Sequence, residues 1–146
     1  MADLQHVIYI RTALELLFAA LTDPEQTPHF FLNCRIEGRW EVGGDLSFVE
    51  TSRGPRGPTV VKGQVVAIEP EQVLAYTFAI AQLDEGDSQV RFQLSQVPNA
   101  TKLVVDHTGL VEASRTLALV TEGWPAILSS LKTWLETGEP LGLPQR

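Results

Sequence analysis

Residues Gly123 to Leu135, GWPAILSSLKTWL, carry apolar side chains at Trp124, Ile127, Leu128, Leu131, Trp134 and Leu135. These fall at i, i+3, i+4, i+7, i+10 and i+11, the stripe of one buried helix face. Ser129, Ser130, Lys132, Thr133 and Glu136 take the other face. Two tryptophans in one stripe bring a large apolar area, and each fully buried large side chain contributes roughly 1.5 to 3 kcal/mol. Such a helix needs a broad apolar surface beneath it. The segments before it supply that surface as alternating strands, and the space between strands and helix is the place to look for function.

Its upstream boundary is less sharply marked. Ala113 or Ser114 can open the helix, because Leu117, Leu119 and Val120 extend the apolar content. Pro125 lacks a backbone donor and crowds the preceding turn, so a kink or break is expected there. Gly138 followed by Pro140 ends the helix.

The strands are legible from their period of two. Val7 to Arg11 reads as a strand with Ile8 and Ile10 on one side. Thr12 and Glu15 have capping-box spacing and open the helix ALELLFAAL. Asp23 and Pro24 close it and start a second short helix carrying Phe30 and Phe31. From Ile36 the alternation places Ile36, Gly38, Trp40 and Val42 on one face, and Gly43-Gly44-Asp45 turns the chain before Leu46 and Phe48. Ser52 to Pro58, SRGPRGP, is a polar connection. Further strands run over Val60 to Ile68, Val73 to Ala81, Gln89 to Val97 and Thr101 to Gly109, joined by turns at Glu69 to Gln72, Asp84 to Ser88 and Pro98 to Ala100. A meander with one wet face needs a cover on the other, and only the C-terminal helix is long enough.

Composition narrows the class. The 146 residues suit one domain, 1–146, and 44% hydrophobic with 20% charged content is that of an ordinary globular protein. Eleven basic residues against eighteen acidic ones disfavour nucleic acid as a partner. The single cysteine, Cys34, excludes an internal disulfide and reads as a half-buried structural thiol, since no basic cluster beside it would activate it. No secretory signal and no membrane span is expected, which points to the cytoplasm.

Together these segments resemble a known family. The stretches are LTDPE at Leu21 to Glu25, GQVVAIEPEQVLAYTF at Gly63 to Phe78, the VRFQL and TKLVVDHTG strands, and Gly123-Trp124 followed by LSSLKTWLETGEPL. In this order they are similar to the START-like (SRPBCC) superfamily and, within it, to homologues of the activator of heat-shock protein 90 ATPase. The resemblance implies an α+β helix-grip fold: a curved antiparallel sheet of about six or seven strands around a long C-terminal helix, with two short helices after the first strand. It implies an elongated apolar cavity, used across the superfamily for lipids, sterols, plant phenolics or polyketides. The activator subgroup instead stimulates a chaperone ATPase by protein contact, in its eukaryotic form with an additional N-terminal domain for which 146 residues leave no room. A monomer or weak homodimer is implied.

Strand parity turns Ile8, Ile10, Trp40, Phe48, Tyr76, Phe78, Phe92, Val105 and His107 toward Trp124, Leu128 and Leu131. From these, Trp40, Phe48, Tyr76, Phe78, Phe92, His107, Trp124, Leu128 and Leu131 are the candidate ligand-binding residues for a hydrophobic small molecule, with plain core as the alternative reading. Tyr76 and His107 mark the set out, because buried polar groups require partners and ligand sites pair apolar walls with a few polar groups. An enzyme of cyclase or hydratase type would use His107 and Tyr76 as acid/base groups. No catalytic residue is assigned on that basis. No metal or other cofactor is expected: His6, His29 and His107 lie on separate elements without HxH or HExxH spacing. No GxSxG occurs, and SRGPRGP lacks a Walker lysine. Arg53 and Arg56 are loop arginines that could guard a cavity mouth.

Overall fold

The computed structural model describes residues 1–142; the last four residues of the expected 1–146 domain lie outside them. Strand β1 (Ala2–Ile10) leads to helix α1 (Leu14–Thr22) and a 3-10 turn (Thr27–His29). Strands β2 (Cys34–Gly38), β3 (Asp45–Glu50), β4 (Thr59–Glu69), β5 (Val73–Ile80), β6 (Ser88–Val97) and β7 (Ala100–Leu110) follow, and helix α2 (Arg115–Thr137) ends the fold. All seven strands form one antiparallel sheet in the order β1-β7-β6-β5-β4-β3-β2. Register shifts at Phe48/Val49 and Val65/Ala67 add bulges that bend it. The architecture is the helix-grip α+β fold with a curved sheet and a long C-terminal helix.

The stripe on α2 is used as its spacing predicts. Trp124, Ile127, Leu128 and Leu131 are buried, while Trp134 and Leu135 pack at the margin of the same core. Ser130, expected on the wet face, is buried too. Ser114 caps α2 by accepting the Leu117 amide at 3.1 Å, and Gly138, at φ 78°, donates its N–H to the Trp134 carbonyl. The helix runs without interruption through Pro125. A proline inside a helix costs about 3 kcal/mol, and burial of the three large side chains around it, at roughly 1.5 to 3 kcal/mol each, outweighs that.

Four local expectations are corrected. β1 begins at Ala2 rather than Val7. Thr12 makes no capping box: the helix starts one residue later than expected from Ala13, without a side-chain cap, and the Thr12 carbonyl instead accepts the Thr101 hydroxyl. The second short helix is only the 3-10 turn, whose Thr27 hydroxyl accepts the Ile36 amide; Phe30 and Phe31 follow it.

The fourth correction concerns Trp40. β2 stops at Gly38, where φ is 149° and a Cβ would lie 2.0 Å from the Asp45 carbonyl oxygen. Residues 39–44 leave the ladder, and Gly43 and Gly44 bond to Val65 on β4 instead. The alternation therefore ends before Trp40, which is only partly buried at the edge of the core, and Val42 is 67% exposed.

Candidate functional site

The inward side chains of four strands and α2 meet in one cluster. Phe48 comes from β3, Tyr76 and Phe78 from β5, Phe92 from β6, His107 from β7, and Trp124, Leu128 and Leu131 from α2, and every one is buried. Trp40 is the single candidate the structure leaves outside.

The rings close a circuit. Trp124 meets Phe92 at 6.0 Å between centroids, Phe92 meets Tyr76 at 5.9 Å, Tyr76 meets Phe48 at 5.8 Å, and Phe48 meets Phe78 at 5.9 Å. Phe78 then meets His107 at 5.0 Å, and His107 meets Trp124 at 5.9 Å. Most of these contacts are edge-to-face, the geometry the ring quadrupoles favour. Phe31 spans the circuit, touching Phe48 at 5.4 Å and Trp124 at 5.9 Å. Sequence reasoning put Phe31 on a supporting helix and missed this role; its position beside Phe30 in an apolar pair was the available signal.

His107 is fully buried and both its ring nitrogens are engaged. The Trp124 indole can only donate, so its N–H fixes His107 Nδ1 as an acceptor at 3.0 Å. The proton of the neutral ring therefore sits on Nε2 and is donated to Ser88 Oγ at 2.7 Å, and the Ser88 hydroxyl donates to the Phe78 carbonyl at 3.1 Å. Burial pushes the imidazole down to about 4, which keeps it neutral near pH 7. Ser88 was read as a turn residue; its parity with Val90 and Phe92 was the signal that it faces inward as the first residue of β6. Tyr76 contributes its ring to the circuit, and burial raises its phenol well above the ordinary range.

Among the described residues no buried side-chain polar atom is left without a partner, and no group of three His, Cys, Asp or Glu side chains is placed to hold a metal. Cys34 is buried, and desolvation with the nearby Glu50 carboxylate pushes its thiol up to about 12. His29 stacks on Trp134 at 4.3 Å, and the Trp134 indole donates to Gln26, so this second tryptophan anchors the 3-10 turn rather than lining the interior.

Two clefts mark where the interior approaches solvent. One, of about 10 Å³, lies between Glu85, Ser88, Gly109, Ser114 and Thr116. That volume is near the minimum for a single water. The Glu85 carboxylate closes it by accepting the Arg115 and Thr116 amides and the Thr116 hydroxyl at the start of α2. These bonds hold Glu85 below the usual carboxylate range, the Thr116 hydroxyl contributing most. The other cleft, of about 600 Å³, is open to solvent beside Tyr9, Arg11, Pro98, Lys132 and Glu136. Among the described residues no helix is long and apolar enough to cross a membrane.

Comparison with known proteins places this geometry. A family model described as Activator of Hsp90 ATPase homolog 1-like protein matches residues 11–136. No curated protein matches the sequence. Among solved structures, the Aha1 dimer from Colwellia psychrerythraea is 24% identical with a TM-score of 0.77, over 94% of this chain and 98% of that one. An HSP90 activator from Plasmodium falciparum is 19% identical with a TM-score of 0.77, over 96% and 99%. CalU16 from Micromonospora echinospora is 21% identical with a TM-score of 0.75, over 96% and 77%. At these identities the likeness to the three structures is one of fold.

Proposed function

The chain belongs to the Activator of Hsp90 ATPase homolog 1-like family, and from that premise we propose that it is a non-enzymatic domain that acts by surface contact with a chaperone of the Hsp90 class. What supports this reading is the family match over residues 11–136, beside the aromatic packing between sheet and α2. The space between sheet and α2 is occupied by the aromatic circuit and by Phe31 across it. An interior packed by its own side chains contributes stability rather than a binding volume. His107, one of the two groups an acid/base reading would use, spends both nitrogens on Trp124 and Ser88. General acid/base catalysis needs a group within reach of a reacting atom.

The test is an ATPase assay with the Hsp90 protein of the same organism, together with a direct binding measurement. Saturable binding and a raised ATPase rate support the reading; neither effect at tens of micromolar protein rejects it.

A second reading is favoured by a separate observation, the narrow cleft lined by Ser88, the hydrogen-bond partner of His107, and by Glu85, which bonds to the start of α2. Opening it would admit a small apolar or amphipathic molecule against Trp124. Titration with fatty acids, sterols and polyphenols, followed by tryptophan fluorescence in the wild type and in Glu85→Ala, tests it. Saturable quenching that strengthens in the variant supports this reading, and no saturable change in either protein removes it.

A further inference from the structure

The two margins of the sheet are finished differently. At β2 the segment ahead of the strand covers the edge: the Thr27 hydroxyl accepts the Ile36 amide, and the Phe31 carbonyl accepts the Cys34 amide. At β1 the sheet simply ends, since β7 is its one strand neighbour. Leu4, His6, Ile8 and Ile10 of β1 stand opposite His107, Val105, Leu103 and Thr101 of β7, and the outward bonds of Tyr9 and Arg11 to α2 leave these even residues as the ones directed at β7. In an antiparallel strand both polar groups of a residue point the same way, so Gln5, Val7 and Tyr9 turn theirs to the free edge. The structure itself marks this direction: Lys132 Nζ donates to the Tyr9 carbonyl at 2.7 Å and the Arg11 amide donates to Glu136 at 2.8 Å. These side chains of α2 cover the end of the edge and leave Gln5 and Val7 open.

An uncovered, nine-residue edge strand is a template for another strand. Natural edges are blunted by charge or proline, yet the outer face of this one shows Val7 at 50% and Tyr9 at 51% exposure. Its inner face is also incompletely covered, with Leu4, His6 and Ile8 only partly buried.

We propose that β1 pairs antiparallel with β1 of a second copy of this chain about a two-fold axis at Val7, joining the two sheets edge to edge. In this register Val7 faces the partner copy's Val7, Gln5 faces Tyr9, and Asp3 faces Arg11. Of the registers that keep edge-directed residues opposite one another, this alone sets Asp3 against Arg11; the next such register on either side, a slip of two residues, opposes Asp3 to Tyr9 or Gln5 to Arg11. Asp3 accepts the Gly109 amide on one carboxylate oxygen, and its other oxygen makes no hydrogen bond among the described residues. Arg11 makes no hydrogen bond through its guanidinium among the described residues. The partly buried face matches as well, with Leu4 against Ile10 and His6 against Ile8. The Tyr9 carbonyl has two lone pairs, so Lys132 does not prevent it from accepting a second donor, while the Arg11 amide stays on Glu136 and Arg11 meets the partner copy's Asp3 through side chains alone. A two-fold interface of this kind is self-complementary and closes at two copies. The inference stands apart from the chaperone reading and concerns a different face from the interior.

Sedimentation equilibrium and native mass spectrometry of the full chain test it, with Val7→Lys and Val7→Glu as variants. Val7 is half exposed on the outer face, so neither change disturbs the core, and near-UV circular dichroism checks that directly. The wild type is expected to dimerise reversibly. Each variant alone places like charges on the axis and weakens the dimer by roughly tenfold, and an equimolar mixture of the two restores a heterodimer. A wild type that stays monomeric at millimolar concentration overturns the proposal. So does a dimer unaffected by either variant, a mixture that forms no heterodimer, or a Val7→Lys dimer tighter than wild type, which would indicate pairing with Asp3 in another register.

Discussion

The indole N–H of Trp124 on α2 donates to Nδ1 of His107 on β7 at 3.0 Å, in the middle of the core. This bond ties the covering helix to the sheet by a polar contact in an apolar setting. It also determines the tautomer of His107 and, through Nε2, the orientation of Ser88.

Acid should therefore destabilise this protein before its carboxylates titrate. The folded value of His107 is lowered to about 4 from the ordinary 6.5, so the unfolded chain binds the extra proton first as pH falls. The stability is fully present above pH 6.5 and is lost as pH drops toward 4, by about 3 kcal/mol in total. Urea unfolding between pH 7.5 and 4.5 should show this slope in the wild type, and His107→Gln should flatten it. An equally steep slope in the variant would assign the effect elsewhere.

Trp124→Phe keeps most of the ring and removes the donor. Leaving a buried acceptor unpaired costs about 1 to 3 kcal/mol. A proton on Nδ1 no longer meets an opposing N–H, so His107 should titrate at a higher pH than in the wild type. Denaturant melts and imidazole NMR shifts across pH give both readings; an unmoved titration would mean that burial alone sets it.

Cys34 should resist thiol reagents. It is buried and its thiol is pushed up to about 12, so little thiolate exists at pH 8. Native protein should react with a disulfide reagent at the rate of unfolding, and denatured protein at once. Rapid labelling of native protein would contradict the burial.

Gly38→Ala should be costly, because a Cβ there would sit 2.0 Å from the Asp45 carbonyl oxygen. The turn must shift or the β2–β3 pairing must open, at roughly 1 to 3 kcal/mol. Gly43→Ala is the control, with a φ of 85° and no atom within 4 Å of the added carbon, and should cost about 1 kcal/mol. Thermal melts of the two variants decide whether close approach or conformation dominates.

Much of the architecture is local chemistry and was legible as such. The period of two across β5 to β7 named inward residues on each, because a strand's faces alternate whatever it pairs with. The stripe through Trp124, Ile127, Leu128 and Leu131 and the left-handed Gly138 are likewise properties of a single segment.

What escaped the sequence depends on residues that only the fold brings together. Trp40 left the interior because Gly38 meets Asp45 and Gly44 meets Val65, contacts that no reading of β2 by itself contains. Ser88, His107 and Trp124 lie on three elements, and parity could say that they face inward but not that their donors and acceptors match. Whether the gap between sheet and helix is hollow or filled is a question of volume, and volume is decided by how rings from four strands, α2 and Phe31 interlock. Hydrophobic pattern sets which side chains turn inward; the curvature of the sheet, through its bulges, sets how much room they find there.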